Sequence, residues 1–359
     1  MRVAQLVMAR QYRGAEIFAA QLSRELIKQG VEICYISLYK NNSGQQFIPQ
    51  GIDFKDLDAI KEGRFSFSLL RKLADTLKEF NPGIVQANAG DTLKYAVVVK
   101  LLYRRKYKIV FRNASTVSRY IKTRIQKLFN SFFYRNTDRI ISVSEGSYKD
   151  FIKTFPFCKD KISVVPNGID LGFLTPKTLF SAGDLNMVHV GGFTFEKNHH
   201  GLLRIFAEVR HTVPNARLWL IGEGPLKSTV EEEASSLGVL GSIEFCGVRH
   251  NVLDYIASAN VLVLPSIIEG LPAVILESFY CRTPVVAYDV GGIAEVVKPG
   301  KTGWLLKAGD EAGFVAAVQE VLSSTKLDTI KDNAYNLVVT EFDNSVVAKR
   351  FLQVYQKMD

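Results

Sequence analysis

Two short, largely apolar runs bracket one helix-forming stretch between residues 259 and 292, and their order limits the fold more than any other feature of this chain. The first, Ala259-Asn-Val-Leu-Val-Leu-Pro-Ser266, is the kind of segment buried on both faces of a parallel sheet. The second, Arg282-Thr-Pro-Val-Val-Ala-Tyr-Asp-Val-Gly-Gly292, closes on a glycine pair. Between them stands Glu269-Gly-Leu-Pro-Ala-Val-Ile-Leu-Glu277. Pro272 suits a first helical position, where its fixed φ costs nothing and its missing N–H would have had no partner, so the helix is expected to start there. The product is a strand–loop–helix–strand unit, whose ligand crevice lies outside the carboxyl ends of the strands.

The two glutamates then fall on either side of the helix start. Glu269 sits in the loop and Glu277 about five residues inside, roughly 7–8 Å further along the axis at 1.5 Å per residue. One ligand can touch both. The N–H groups of Leu271, Ala273 and Val274, with the positive end of the helix dipole, make an anion site suited to a diphosphate. The competing reading is a capped amphipathic helix with one solvated glutamate.

Four further stretches share this strand-end character: Val165-Pro-Asn-Gly-Ile-Asp170; Val190-Gly-Gly-Phe-Thr-Phe-Glu-Lys-Asn198; Leu220-Ile-Gly-Glu-Gly-Pro225; and Gly291-Gly-Ile-Ala-Glu-Val-Val297 followed by Gly300-Lys-Thr-Gly-Trp304. Taken with Glu269–Glu277, they resemble the retaining glycosyltransferases of family 4. The resemblance is strong over about residues 160–310 and weaker before. It implies an α/β fold of GT-B architecture, two Rossmann-like domains facing each other across a cleft. Residues 1–170 would form an acceptor-binding domain, 171–343 a nucleotide-sugar-binding domain, and 344–359 a helix crossing back to the first. The junction follows Asn167-Gly168, a turn signal.

The resemblance also implies roles. Lys197 would offset charge growing on the donor diphosphate and Glu269 would hold hydroxyls of the transferred sugar, the two forming the catalytic pair. Glu277 would hold the ribose, backbone at Val248 and Arg249 would meet the base, and Gly14, Gly192, Gly270, Leu271 and Ala273 would complete the donor site. Asn113 lies on the acceptor side. The implied mechanism has the leaving phosphate take the acceptor's proton on the face it departs from, so that positioning does most of the work. Three positions depart from the family pattern: Arg13-Gly14 replaces a glycine pair, Gly192 stands where an arginine is common, and Arg112-Asn113 replaces a histidine.

Composition agrees with a globular two-domain chain. At 359 residues, 47% hydrophobic and 23% charged, it is too long for one core and too apolar for disorder. Cys34, Cys158, Cys246 and Cys281 show no C-x-x-C pairing, which argues against a disulfide framework or zinc site. Met1–Ala9 has too short an apolar core for a signal peptide and reads as a first strand. No stretch approaches the roughly 20 apolar residues of a membrane helix.

Charge is unevenly spread. Residues 1–170 hold 29 Lys and Arg against 15 Asp and Glu, and no acidic residue occurs from Thr92 to Thr137. Within that span Ile121, Ile125, Leu128, Phe129, Phe132 and Phe133 recur at helical spacing, interleaved with Arg119, Lys122, Arg124 and Lys127. Such a helix lies either in an anionic membrane interface or with its apolar stripe on the core and its basic face in water. No nucleic-acid-binding motif accompanies the basic run.

The expected protein is therefore a retaining glycosyltransferase acting on a UDP- or GDP-linked sugar and a saccharide or lipid-linked acceptor in cell-surface polysaccharide or glycolipid synthesis. It would be cytoplasmic, peripheral on the inner face of the cytoplasmic membrane, and would need neither cofactor nor metal. The alternatives are a non-catalytic nucleotide-sugar-binding partner, which Gly192 and Asn113 favour, and a nucleotide-sugar epimerase on the same architecture.

Overall fold

The computed structural model describes residues 1–41, 47–60, 66–172, 179–180 and 183–358. The chain forms two units, residues 1–170 with 343–359 and residues 171–342.

The first unit is built on a seven-stranded parallel sheet. Its strands are β1 (Arg2–Val7), β2 (Glu32–Tyr39), β3 (Phe54–Ala59), β4 (Ile84–Ala87), β5 (Lys108–Asn113), β6 (Arg139–Ser142) and β7 (Ile162–Val164), in the order β3-β2-β1-β4-β5-β6-β7. A parallel sheet needs both faces covered, and alternation along the strands supplies two cores. Leu6, Val85 and Ile109 face one; Val3, Ile84 and Val110 face the other. The second core is closed by the helix Asn344–Gln356, whose Phe351 and Tyr355 are buried there. Phe351 meets Phe18 of the helix Gly14–Lys28 at 5.8 Å between ring centroids, and the Tyr355 hydroxyl donates to Gln86. Each such aromatic burial stabilises by about 1.5–3 kcal/mol.

The second unit carries six parallel strands, β8 (Asn186–Val190), β9 (Arg217–Ile221), β10 (Ile243–Gly247), β11 (Val261–Leu264), β12 (Val285–Tyr288) and β13 (Trp304–Leu306). Their order is β10-β9-β8-β11-β12-β13. Chain direction across the sheet reverses between β8 and β11. That pair is the topological switch point, where such sheets bind ligands.

Apolar continuity in the sequence marks every strand except β3 and β13. Strand β3 carries Lys55, Asp56 and Asp58 on the sheet edge, where polar residues blunt further pairing. Strand β13 is three residues long. One further difference concerns Pro272. It holds the N-cap position with ψ of 124°, and the helix runs Ala273–Tyr280, one residue later than its sequence predicts. The basic helix Arg124–Arg135 starts at a capping box, in which Thr123 Oγ1 accepts from the Gln126 N–H and Gln126 Oε1 from the Thr123 N–H.

Candidate active site

The loops leaving the carboxyl ends of β8 and β11 are pinned to each other. Asn198 adopts φ of +54°, accepts the Gly201 N–H through its side chain to start the helix His199–Thr212, and donates from Nδ2 to the Pro265 carbonyl at 3.0 Å. The Ile267 N–H donates to the Glu196 carbonyl at 2.8 Å. Lys197 lies between these two ties and reaches across to Glu269, with Nζ 2.7 Å from Oε1. Both side chains are largely buried, so the pair sits in a medium where charge is worth more than at an open surface.

Glycine packing holds the surrounding loops at this distance. A Cβ on Gly291 would stand 2.2 Å from the Glu269 carbonyl oxygen, and Gly291 has φ of +61°. Only glycine lets the β12 loop approach Glu269 so closely, and the Gly292 N–H then donates to the Gly270 carbonyl. Gly222, at φ of +144°, meets the Gly191 carbonyl in the same way. Beneath the Gly191 loop lie His189 and His199 at 4.8 Å, with Phe193 stacked on His199 at 4.2 Å. Burial pushes the His189 imidazole down to about 4, and its Nδ1 faces the Val263 carbonyl at 2.8 Å, so it is neutral at pH 7 with the proton on Nδ1. Both histidines are buried against the Gly191 loop, whose Cβ position lies 3.1 Å from His189 Nε2 and from Lys197 Cδ.

Glu277 lies in the middle of the helix Ala273–Tyr280; its carbonyl accepts from the Cys281 N–H at 3.0 Å, and its carboxyl has no hydrogen-bond partner among the described residues. Desolvation alone pushes its carboxyl up to about 7, against an ordinary value of 4.5. Its protonated form therefore contributes stability that is complete below about pH 4.5 and lost as pH rises through 7. In the ribose-holding role that the family resemblance implies for Glu277, a donor hydroxyl would reverse the preference, because a hydroxyl donating to the carboxylate favours the ionised form. Affinity for a nucleotide sugar should consequently fall about tenfold from pH 8 to pH 6, since one unit below its pKa a group is about nine-tenths protonated. Titration calorimetry at the two pH values measures this, and Glu277→Gln should flatten the profile. Equal wild-type affinities would remove Glu277 from the ligand contact.

Other residues expected at the site gather at the same sheet edge. Gly270, Leu271 and Ala273 continue the β11 loop into the helix. Leu271 has a partner within the fold, and Ala273 and Val274 form the first turn of the helix. Val248 and Arg249 follow β10 on the outer strand of the sheet. Glu223 escapes the sequence reading; its carbonyl accepts from Phe193 N–H at 3.2 Å and its carboxylate pairs with Lys227 at 3.1 Å. The Gly-Glu-Gly-Pro stretch is its only signal.

Gly14 and Asn113 belong to the first unit. Gly14 opens the helix Gly14–Lys28, with open space where a Cβ would be. Asn113 ends β5, buried, donating to Ser142 Oγ at 3.2 Å.

Residues 12–173 match Glycosyltransferase Family 4 and residues 174–337 match Glycosyl transferases group 1. The chain belongs to this family of glycosyltransferases. It is 32% identical over 249 residues to alpha-maltose-1-phosphate synthase of Mycolicibacterium smegmatis, covering 62% of this chain and 63% of that one. It is 27% identical over 227 residues to the lipopolysaccharide core biosynthesis glycosyltransferase LpsE of Rhizobium meliloti, covering 62% and 65%. The matched stretches thus span less than two thirds of either relative. Anabaena HepE, solved in complex with UDP-glucose, superposes with a TM-score of 0.86 at 18% identity over 99% of this chain and 100% of that one. The fold is therefore GT-B.

At Gly192, where an arginine is common in the family pattern, a Cβ would lie 3.3 Å from the Glu223 carbonyl oxygen, so a side chain needs that carbonyl to give by a few tenths of an ångström. Arg13 is exposed at the N-cap of its helix. Arg112 is no replacement cation at the surface: it is buried over the Phe18 ring at 4.3 Å and donates to Asn167. Glu16, in the first turn of the same helix as Gly14, is also buried and accepts from Gln11 Nε2 at 3.0 Å.

Proposed function

We propose that the protein is a retaining glycosyltransferase that moves a sugar from a UDP- or GDP-linked donor to a saccharide or lipid-linked saccharide, in cell-surface polysaccharide or glycolipid synthesis on the inner face of the cytoplasmic membrane. The observation that carries this reading is the Lys197–Glu269 pair across the β8–β11 switch point. An ammonium and a carboxylate held together by mutually tied loops stand close to where a diphosphate and a sugar would bind, so only a local exchange of partners is needed. The donor anion takes up the remaining N–H groups of Lys197 and the helix start at Ala273, and Glu269 turns to the sugar hydroxyls. The leaving phosphate accepts the acceptor's proton on the face it departs from, giving retention. Asn113, which transfers no proton, fits that scheme. The LpsE relative and the UDP-glucose complex of HepE support a nucleotide-sugar donor and a surface-glycan setting.

The membrane part rests on the helix Arg124–Arg135. Phe133 is buried, but Ile125 is 81%, Leu128 70%, Phe129 41% and Phe132 47% exposed, so the core-facing reading accounts for only part of its apolar side. Among the described residues no helix is long and apolar enough to cross a membrane.

Incubation with labelled UDP- and GDP-sugars and a bacterial lipid extract should release UDP or GDP and move label into the lipid phase. The product should keep the donor's anomeric configuration. EDTA should leave the rate unchanged, because Lys197 and the helix start act on the diphosphate in place of a metal. Inversion, or activity lost in EDTA and restored by manganese or magnesium, would contradict the proposal. The second reading, binding without turnover, is favoured by one observation: Gly192 leaves Lys197 without an adjacent cation. Donor binding with no released nucleotide, whatever acceptor is offered, would establish it.

A further inference from the structure

Beside the stem of Lys197 lies a buried acceptor that nothing in the fold uses. His189, within β8, is fully buried. Its Nδ1–H is committed to the Val263 carbonyl at 2.8 Å, which leaves the lone pair on Nε2. That Nε2 has no hydrogen-bond partner among the described residues. His199, at 4.8 Å between ring centroids, does not supply one, and both of its own nitrogens are without partners too. A buried acceptor with nothing to accept is destabilising, and native folds keep few of them.

Gly191 shows what lies opposite. A Cβ there would stand 3.1 Å from His189 Nε2, 3.1 Å from Lys197 Cδ and 3.2 Å from Lys197 Cε. The imidazole lone pair and the end of the lysine stem thus border one small space, which the glycine keeps open. An ammonium carries three N–H donors on a flexible stem, and Glu269 takes one of those of Lys197 at 2.7 Å. When Glu269 turns to a sugar, that contact is given up. With Gly192 where an arginine is common, the lysine then has to hold its aim on a diphosphate with no neighbouring cation to share the task. An acceptor at its back supplies the anchor. A neutral imidazole does so without cancelling the positive charge, as a second carboxylate would.

We infer that His189 is a positioning residue: when the donor draws Glu269 away, the Lys197 ammonium turns one N–H to His189 Nε2 and keeps the others on the diphosphate. The inference rests on the glycosyl-transfer reading and deepens it by naming what holds Lys197 during the reaction. Two substitutions separate this role from packing. His189→Asn keeps a donor at the Nδ1 position for the Val263 carbonyl and has no atom at Nε2. His189→Gln places an amide at the Nε2 position and gives up the Val263 bond. His189→Asn should be the more stable to heat, yet lower kcat/KM for the nucleotide sugar about 10–100-fold, the loss expected for one hydrogen bond to a charged group. His189→Gln should be less stable and more active. In a Lys197→Ala background, His189→Asn should lower the rate no further.

A readout independent of turnover is the nitrogen NMR signal of His189 Nε2 in isotope-labelled protein. It should shift when saturating UDP or GDP is added to the wild type, and stay in place in Lys197→Ala. Wild-type kcat/KM in His189→Asn, a reversed order of the two variants, or a wild-type signal unmoved by both nucleotides overturns the inference. A shifted signal with no nucleotide released from any donor sugar sustains the His189 contact and defeats the transfer reading alone.

Discussion

Replacing Lys197 or Glu269 by alanine should lower turnover about 10²–10³-fold, the loss usual when a group stabilising developing charge is removed. Each residue is proposed to act at the reacting end of the donor, so the fall should appear in kcat as well as in kcat/KM. The double variant should be little worse than either single one. Both groups belong to one 2.7 Å ion pair, and removing either leaves its partner misdirected. Lys197→Arg keeps the charge and should recover part of the rate, which separates a lost cation from a disturbed loop. Glu277→Ala should act mainly on KM. Near wild-type rates for both alanine variants at saturating substrate would show that the reacting groups lie elsewhere.

Changing Arg119, Lys122, Arg124 and Lys127 to glutamine should weaken attachment to anionic vesicles by up to about 10³-fold, at about 1 kcal/mol for each basic side chain near the surface and tenfold for every 1.4 kcal/mol. Sedimentation with vesicles of phosphatidylglycerol and phosphatidylcholine measures this directly. Raising salt should release the wild type in the same way, because such attraction is screened over about 8–10 Å at ordinary ionic strength. Binding of the nucleotide sugar should survive the four changes, since Lys197, Glu269 and Glu277 belong to the other unit. Equal vesicle binding by wild type and variant would show that this helix is not the contact. Equal binding to neutral and anionic vesicles would remove the electrostatic argument.

How much of this was legible in the sequence depends on whether the signal was local. Apolar runs such as Val261–Leu264 and Val285–Tyr288 declare buried parallel strands because nothing polar is tolerated on either face. Strand β3 is hidden because an edge strand alternates with charge, and β13 because three residues are too few for a pattern. Loops rich in glycine point to the carboxyl edge of the second sheet, but their geometry is tertiary. Lys197 and Glu269 are 72 residues apart, and their ion pair follows only from the adjacency of β8 and β11. Glu277 carries no sequence sign of its raised pKa, which comes from burial alone. The basic helix is the opposite case. Its composition is plain, yet whether Phe129, Phe132 and Phe133 face core or solvent is set by packing, and the structure divides them.

The measurement that bears most directly on the central claim is thermal unfolding of the protein against a panel of UDP-, GDP- and ADP-linked sugars. A ligand at 100 times its dissociation constant stabilises by about 2.7 kcal/mol. For a unit of this size that corresponds to a rise in Tm of about 5–10 °C. Such a rise is expected with at least one UDP- or GDP-sugar, much reduced in Glu277→Ala. No shift with any member of the panel, or an undiminished shift in Glu277→Ala, would contradict the placement of a nucleotide-sugar site at the β8–β11 edge.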